Sequence, residues 1–286
     1  MTRRLIITAD DFGESAEVNE AIERAHRDGV LSTTCLMVTG AAAADAVARA
    51  KRLPELRVGL HVVLVNGRPA LPPEQVPDLV DERGEFSEQL VRTGFRYFFN
   101  PSARRQLEAE IRAQYAAFAA TGLPLDHVNA HNHMHVHPTI FSLMLHIGRD
   151  HGDPPVRIPH EPMLASWRAR RTDLAGRFGN DVLMAPLFAL MRARCRAAHV
   201  AYNDFVFGMD DTGNMSSEVV LQLLRQIPDG CSEMYFHPAT DGPRARELAA
   251  LLDPAVAHAL RDEAIERSSF GELRARRSSG PTSAAG

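Results

Sequence analysis

Short apolar runs rich in β-branched residues alternate with stretches of helical spacing along most of this chain, and that rhythm limits the fold more than any other feature. Leu5 to Ala9 runs into Asp10-Asp11-Phe12-Gly13, and Ser15 then precedes a helical pattern from Ala16 to Arg27 closed by Gly29. Ser32 to Thr39 leads into the alanine-rich stretch 41–52, and Val58 to Val65 is a further apolar run carrying His61. Residues 103–121 set Leu107, Ile111, Tyr115 and Phe118 on one helix face and stop at Gly122. Leu125 to His131 reads as extended and Pro138 opens the next helix, while Pro155 to Ile158, Tyr202 to Phe207 and Ser232 to Phe236 are further strand candidates. Such alternation predicts a parallel sheet, closed as a (β/α) barrel or open and doubly wound. In either case chemistry gathers at the carboxyl ends of the strands. We read the chain as α/β and (β/α) barrel-like.

The 286 residues suit one barrel of about 250 residues. We expect a single catalytic domain over 1–272, interrupted by insertions at 66–100 and 160–199 and followed by a disordered tail over 273–286, which is Arg, Ser, Gly and Ala without apolar period. The first insertion carries prolines and the aromatic cluster Tyr97, Phe98 and Phe99, and is placed to wall a substrate cleft. The second sets seven arginines against three acids around Trp167 and the apolar run Val182 to Met191. Arginines flanking an apolar surface suit an anionic membrane interface; packing into the barrel or into an oligomer contact is the alternative. The run is about half a bilayer span and contains Pro186, so membrane contact is expected to be peripheral.

No apolar core long enough for a signal peptide follows Arg3 and Arg4, and Cys35, Cys195 and Cys231 share no short spacing, which points to a cytoplasmic, reducing setting. A formal charge of −4 disfavours a nucleic-acid partner.

Histidine density carries the strongest chemical signal. His127, His131, His133, His135 and His137 fall within eleven residues, where composition gives fewer than one. Buried imidazoles need a partner at each ring nitrogen, so at least one metal ligand is expected among them. Pro138 disfavours helix just before it, which places a strand end near His131 and a loop beyond. Asp10-Asp11 stands at another strand end, where one carboxylate can ligate a metal while its neighbour stays free as a general base. A turn with a helix-capping acid is the simpler reading of the same pair. His61 stands near the end of a third apolar run, and an Asp with two His leaves ligand positions open for water and substrate. His237 precedes Pro238, whose extended exit turns the imidazole toward the loop side. An ordinary surface arginine is the default reading of Arg157, and orienting a carboxylate such as Asp10 is the alternative. The chain lacks GxSxG, P-loop, GxGxxG and HExxH patterns, which removes support for serine hydrolase, nucleotide-phosphate and zincin readings.

Ala9-Asp10-Asp11-Phe12-Gly13, Gly59-Leu60-His61, His131-Asn132-His133-Met134-His135 and Phe236-His237-Pro238-Ala239, in that order, resemble the YdjC-like carbohydrate deacetylases over roughly residues 3–265. That family commonly writes Asp-Ser-His where this chain has Asn129-Ala130-His131; with the Arg-rich insertion, this is more similar to its hopanoid-biosynthesis-associated branch. The resemblance implies Asp11, His61 and His131 as metal ligands, Asp10 as the base and His237 as the acid. The implied reaction is hydrolysis of the N-acetyl group of an N-acetylglucosamine-type sugar, lipid-linked as an acetylglucosaminyl hopanoid, giving acetate and a free amine. The implied cofactor is a divalent cation, zinc first, with magnesium, cobalt or manganese behind it. Expected partners are an N-acetylated sugar or glycolipid and, peripherally, the inner face of a membrane. Other readings are a chitooligosaccharide deacetylase, another metal-dependent hydrolase and a non-catalytic metal-binding protein. The amidohydrolase type sets His-x-His at its first strand where this chain has Asp-Asp, and a mere metal binder has no need of Asp10 and His237.

Overall fold

Strand β1 (Arg3–Phe12) organises the sheet: its apolar residues are buried on both faces, as expected of a central strand in a parallel sheet. The computed structural model describes residues 2–87 and 100–278. After β1 come α1 (Ala16–Asp28), β2 (Thr33–Leu36), α2 (Ala43–Ala50) and β3 (Arg57–Val62). Then follow α3 (Pro101–Ala120), β4 (Val128–Ala130), α4 (Pro138–Gly148), α5 (Met163–Arg170) and α6 (Leu174–Ala198). The chain closes with β5 (Phe205–Phe207), α7 (Ser217–Leu224), β6 (Gly230–Phe236), α8 (Ala245–Leu252), α9 (Pro254–Asp262), β7 (Ile265–Ser268) and α10 (Phe270–Ser278).

The strand order is β4-β3-β2-β1-β6-β5, and every ladder among them is parallel. On the edge of β1 away from β6, β7 pairs with Arg3 to Ile6 and β2 with Thr8 to Phe12. The sheet curls into a barrel-like α/β fold with helices between its strands. Between β4 and β5 only single parallel bridges, Val128 to Val156 and Val156 to Tyr202, span the gap. The expected strand at Pro155 to Ile158 is thus reduced to a bridge: Pro154 and Pro155 have no N–H to give a ladder. Asn203 seals the gap instead, accepting from Ile158 N at 2.8 Å and donating to Ile158 O at 3.0 Å.

Ile6, Cys231, Phe270 and Leu273 close the barrel at the amino ends of its strands. Residues 273–278 therefore belong to a packed helix rather than to the disordered tail expected from 273; residues 279–286 lie outside the described residues. The Arg-rich insertion divides in two. Phe188, Met191 and Cys195, at i, i+3 and i+7, bury one face of α6 against Phe141 and Leu145 of α4. The other part, with Leu164, Leu174, Phe178, Val182, Leu183 and Leu190, is exposed. Arg171 stacks over Trp167 at 4.8 Å beside it. Among the described residues no helix is long and apolar enough to cross a membrane.

Candidate active site and metal centre

Two consecutive strand residues normally face opposite sides of a sheet. Asp10 and Asp11 escape that rule because the β1–β2 register shifts between Ala9 and Phe12 and Asp11 adopts a left-handed backbone, φ 66°. Gly13, at φ 98°, completes the turn, and its N–H donates to Asn19 Oδ1 at 2.7 Å. Both carboxylates are thereby brought, almost fully buried, to the mouth of the barrel beside His61 at the end of β3.

Asp11 Oδ1 lies 3.0 Å from His131 Nδ1 and 3.4 Å from His61 Nε2, and the two imidazole nitrogens are 3.3 Å apart. Three ligand atoms about 2.0–2.1 Å from one tetrahedral ion stand about 3.3 Å from each other, so this donor set fits a zinc-like cation. Burial opposes ionisation of Asp11, but hydrogen bonds from His131 and His61 and nearby imidazoles hold it well below the usual carboxylate range. Burial likewise opposes a charge on His61, yet the hydrogen bond to Asp11 and the charges of Asp10 and Asp11 leave its pKa raised. A second group with suitable donors, Asp10, Cys35 and His61, lies behind the first. Burial and the charge of Asp10 push the Cys35 thiol up, and it stays a donor to Asp10 Oδ1 at 3.0 Å.

Asp10 belongs to a different interaction. Arg157 Nη1 and Nη2 bond its two oxygens at 2.6 and 2.8 Å, and Arg157 Nε and Nη2 bond both oxygens of Glu233 at 2.8 and 2.7 Å. Burial would raise the Asp10 pKa, but the guanidinium outweighs it and keeps the carboxyl well below its ordinary range. Arg157 also lies 4.9 Å from the centre of the Tyr235 ring.

The five clustered histidines serve five separate purposes. His131 joins Asp11 and His61. His127 is buried toward the other end of the barrel, stacked on Phe270 at 4.5 Å, where a Cβ on Gly59 would strike its ring. His133 Nε2 pairs with the Tyr235 hydroxyl at 3.2 Å, and His135 Nε2 with Arg157 O at 3.1 Å. Burial and then the Arg157 charge hold both neutral, His133 well below its usual range and His135 down to about 3. His137 caps α4, accepting from Thr139 N at 3.3 Å.

His237 follows β6, edge-on to Tyr235 at 5.4 Å, and its backbone N–H donates to the buried Glu247 at 2.5 Å. Its imidazole has no hydrogen-bond partner among the described residues. Its charge lowers the pKa values of both Asp10 and Asp11. The sequence reading missed Glu233 and Arg244. Glu233 was detectable as an acid inside an apolar strand. Arg244, which reaches Asp11 Oδ2 at 3.4 Å and also bonds Glu14, left no local sign because its partners are more than 200 residues away.

A cleft of about 550 Å³ opens beside His131, lined among others by Glu14, Met37, Thr39, Asn66 and Arg68. Glu85 and Phe86, from the stretch expected as the first insertion, also line it; Tyr97, Phe98 and Phe99 lie outside the described residues. A separate cavity of about 410 Å³ near Leu53, Pro54, Leu125 and Arg274 contains none of these groups.

Residues 4–262 match the family model described as YdjC-like protein. The chain is 31% identical to a carbohydrate deacetylase of Geobacillus stearothermophilus, over 96% of this chain and 99% of that protein. It is 34% identical to a chitooligosaccharide deacetylase of Serratia marcescens, over 96% and 100%. A carbohydrate deacetylase of Brevibacillus brevis is 40% identical, but over 54% of this chain and 59% of that one. In structure, a candidate cellobiose-phosphate cleavage protein of Enterococcus faecalis V583 superposes with a TM-score of 0.76 at 25% identity, covering 96% of this chain and 99% of the other.

Proposed function

The chain belongs to the YdjC-like family and is a carbohydrate deacetylase, and from that premise we propose that it hydrolyses the N-acetyl group of an N-acetylglucosamine-type sugar at a divalent-metal site made by Asp11, His61 and His131. The observation that carries this reading is the close set of three donors at the barrel mouth, with the Arg157-held Asp10 beside it. A cation bound there supplies a Lewis acid for the acetyl carbonyl and lowers the pKa of a water. Asp10 takes the proton of the attacking water. Its depressed pKa keeps it ionised and ready to accept, at some cost in basicity, and Arg157 fixes the plane of the carboxylate. His237, whose ring nitrogens have no hydrogen-bond partner among the described residues, protonates the departing nitrogen, which otherwise leaves poorly. His133 and His135, held neutral, add no charge beside Asp10.

For the substrate we favour a lipid-linked N-acetylglucosamine, such as an acetylglucosaminyl hopanoid, reached by peripheral contact of a cytoplasmic protein with the inner membrane face. What supports it is the exposed apolar surface of α5 and α6 beside Trp167, Arg168 and Arg171. Phe188 does not belong to that surface; at 3% exposure it is core. The second reading is a soluble chitooligosaccharide, favoured by the full-length Serratia marcescens relative.

An acetate-release assay on soluble N-acetylglucosaminyl oligosaccharides and on lipid-linked N-acetylglucosamine in anionic vesicles tests both. Equimolar acetate and amine are expected, and Val182→Ser/Leu183→Ser is expected to slow turnover of the lipid-linked substrate alone. Turnover of the oligosaccharides alone would decide for the second reading, and no acetate from any N-acetylated sugar would overturn the deacetylase assignment.

A further inference from the structure

The side-chain amide of Asn129 is fully buried between the Arg157 guanidinium and the His61 imidazole, which compete for its single oxygen whenever His61 carries its proton on Nδ1. One end of the amide lies 2.6 Å from His61 Nδ1, and the other lies 3.1 Å from both Nη1 and Nη2 of Arg157. A guanidinium has only N–H donors to offer. The oxygen therefore belongs on the Arg157 side, and the amide NH2 then donates to His61 Nδ1. That bond needs a bare lone pair at Nδ1, so a neutral His61 carries its proton on Nε2, the nitrogen facing Asp11 and His131.

Metal ligation through Nε2 needs the reverse, with Nε2 bare and Nδ1 protonated. Turning the amide over gives His61 an acceptor but sets an NH2 against the Arg157 guanidinium. Neither orientation serves both Arg157 and a His61 that ligates through Nε2. Cys35 Sγ, 3.2 Å from His61 Nδ1, is a weak acceptor and its own proton goes to Asp10. Unmet buried donors of this kind are costly.

We propose that Asn129 is a positioning residue that favours the non-ligating tautomer of His61 and so holds the metal affinity of the Asp11–His61–His131 site below what the same three donors would otherwise reach. The inference rests on the reading of those three residues as the metal site. A carboxylate of the same shape has lone pairs enough to accept from Arg157 and from His61 Nδ1–H together. Partners one step removed from a metal commonly change its affinity by about 10–100-fold.

The test is a zinc titration of the full chain against a competing chromophoric chelator, for wild type, Asn129→Asp and Asn129→Ala. Asn129→Asp is expected to bind zinc about 10–100-fold more tightly. Asn129→Ala is expected to bind zinc more tightly than wild type, though less tightly than Asn129→Asp, because a water in the vacated space can turn to accept from His61 Nδ1–H. A ¹⁵N spectrum of the metal-free wild type at a pH where imidazole is neutral should place the His61 proton on Nε2. This separates the effect of tautomer from that of added negative charge. A proton on Nδ1, an Asn129→Asp variant no tighter than wild type, or an Asn129→Ala variant no tighter than wild type would each overturn the proposal while leaving the metal site standing. Failure of wild type and both variants to bind zinc would remove the metal site itself, and the proposal with it.

Discussion

Replacing Arg157 by methionine should be among the most damaging single changes in this protein. Arg157 makes four hydrogen bonds of 2.6–2.8 Å to Asp10 and Glu233, and all three side chains are shut off from solvent. Arg157→Met leaves two facing carboxylates buried without their cation. Removing one partner of a buried ion pair costs about 3–5 kcal/mol, a large share of a typical folding stability of about 5–15 kcal/mol. The sign of the pH dependence follows from Asp10. Its folded pKa lies below the unfolded value in wild type, so its stabilisation is present above the unfolded pKa of 3.8 and is lost as pH falls through the carboxylate range. Without Arg157, burial should raise that pKa, and stability would then fall as pH rises. The gap between wild type and Arg157→Met should therefore be wide at about pH 7 and narrow toward about pH 4.5. Urea unfolding of the metal-free chain at the two pH values measures it. Arg157→Met/Glu233→Gln should recover part of the loss, because one stranded charge is gone. A loss below about 1 kcal/mol at neutral pH, or a double variant no more stable than the single one, would refute the reasoning.

Asp10→Asn and His237→Ala should each keep zinc and lower turnover by about 10²–10⁴-fold, followed as acetate release; a metal-free variant or near-normal turnover removes the role given to that residue. Burial and the neighbouring Asp210 push Glu161 up to about 7, above the ordinary 4.5 of a glutamate. The folded chain thus holds that proton more tightly, and the resulting stability is complete below about pH 4.5 and lost as pH rises to about 7. Calorimetry should show the Tm of wild type falling across that window and a flatter profile for Glu161→Gln. Equal slopes would mean that Glu161 ionises alike in the folded and unfolded chain.

Much of this was legible in the residues because it is local. The Asp-Asp pair after β1, His61 at a strand end and the prolines around the histidine cluster each signal their position within a few residues. For Arg157 a surface position was the default from sequence, with Asp10 only an allowed partner, because nothing local shows that it is buried between Asp10 and Glu233. What was hidden depends on contacts distant in sequence or on a broken local rule. Nothing in Ala9 to Phe12 announces the register shift that turns Asp10 and Asp11 to the same side. Strand β7 carries Glu266 and Arg267 between its buried ends, so no apolar run marks it. In α6 the run Val182 to Met191 is apolar all round, which conceals that Phe188 and Met191 pack while Val182 and Leu183 do not. Leu273 looked like part of a polar tail because, beyond Phe270 in its own helix, its partners Ile6 and Cys231 come from β1 and β6, far away in sequence.

The central claim is a division of labour between adjacent carboxylates, Asp11 holding a cation and Asp10 handling a proton. Bound zinc per chain, measured by mass spectrometry after reconstitution and desalting, tests it directly in Asp11→Ala and Asp10→Asn side by side. The account predicts close to one zinc in Asp10→Asn and essentially none in Asp11→Ala. A full complement of zinc in Asp11→Ala, or its loss from Asp10→Asn, would contradict it.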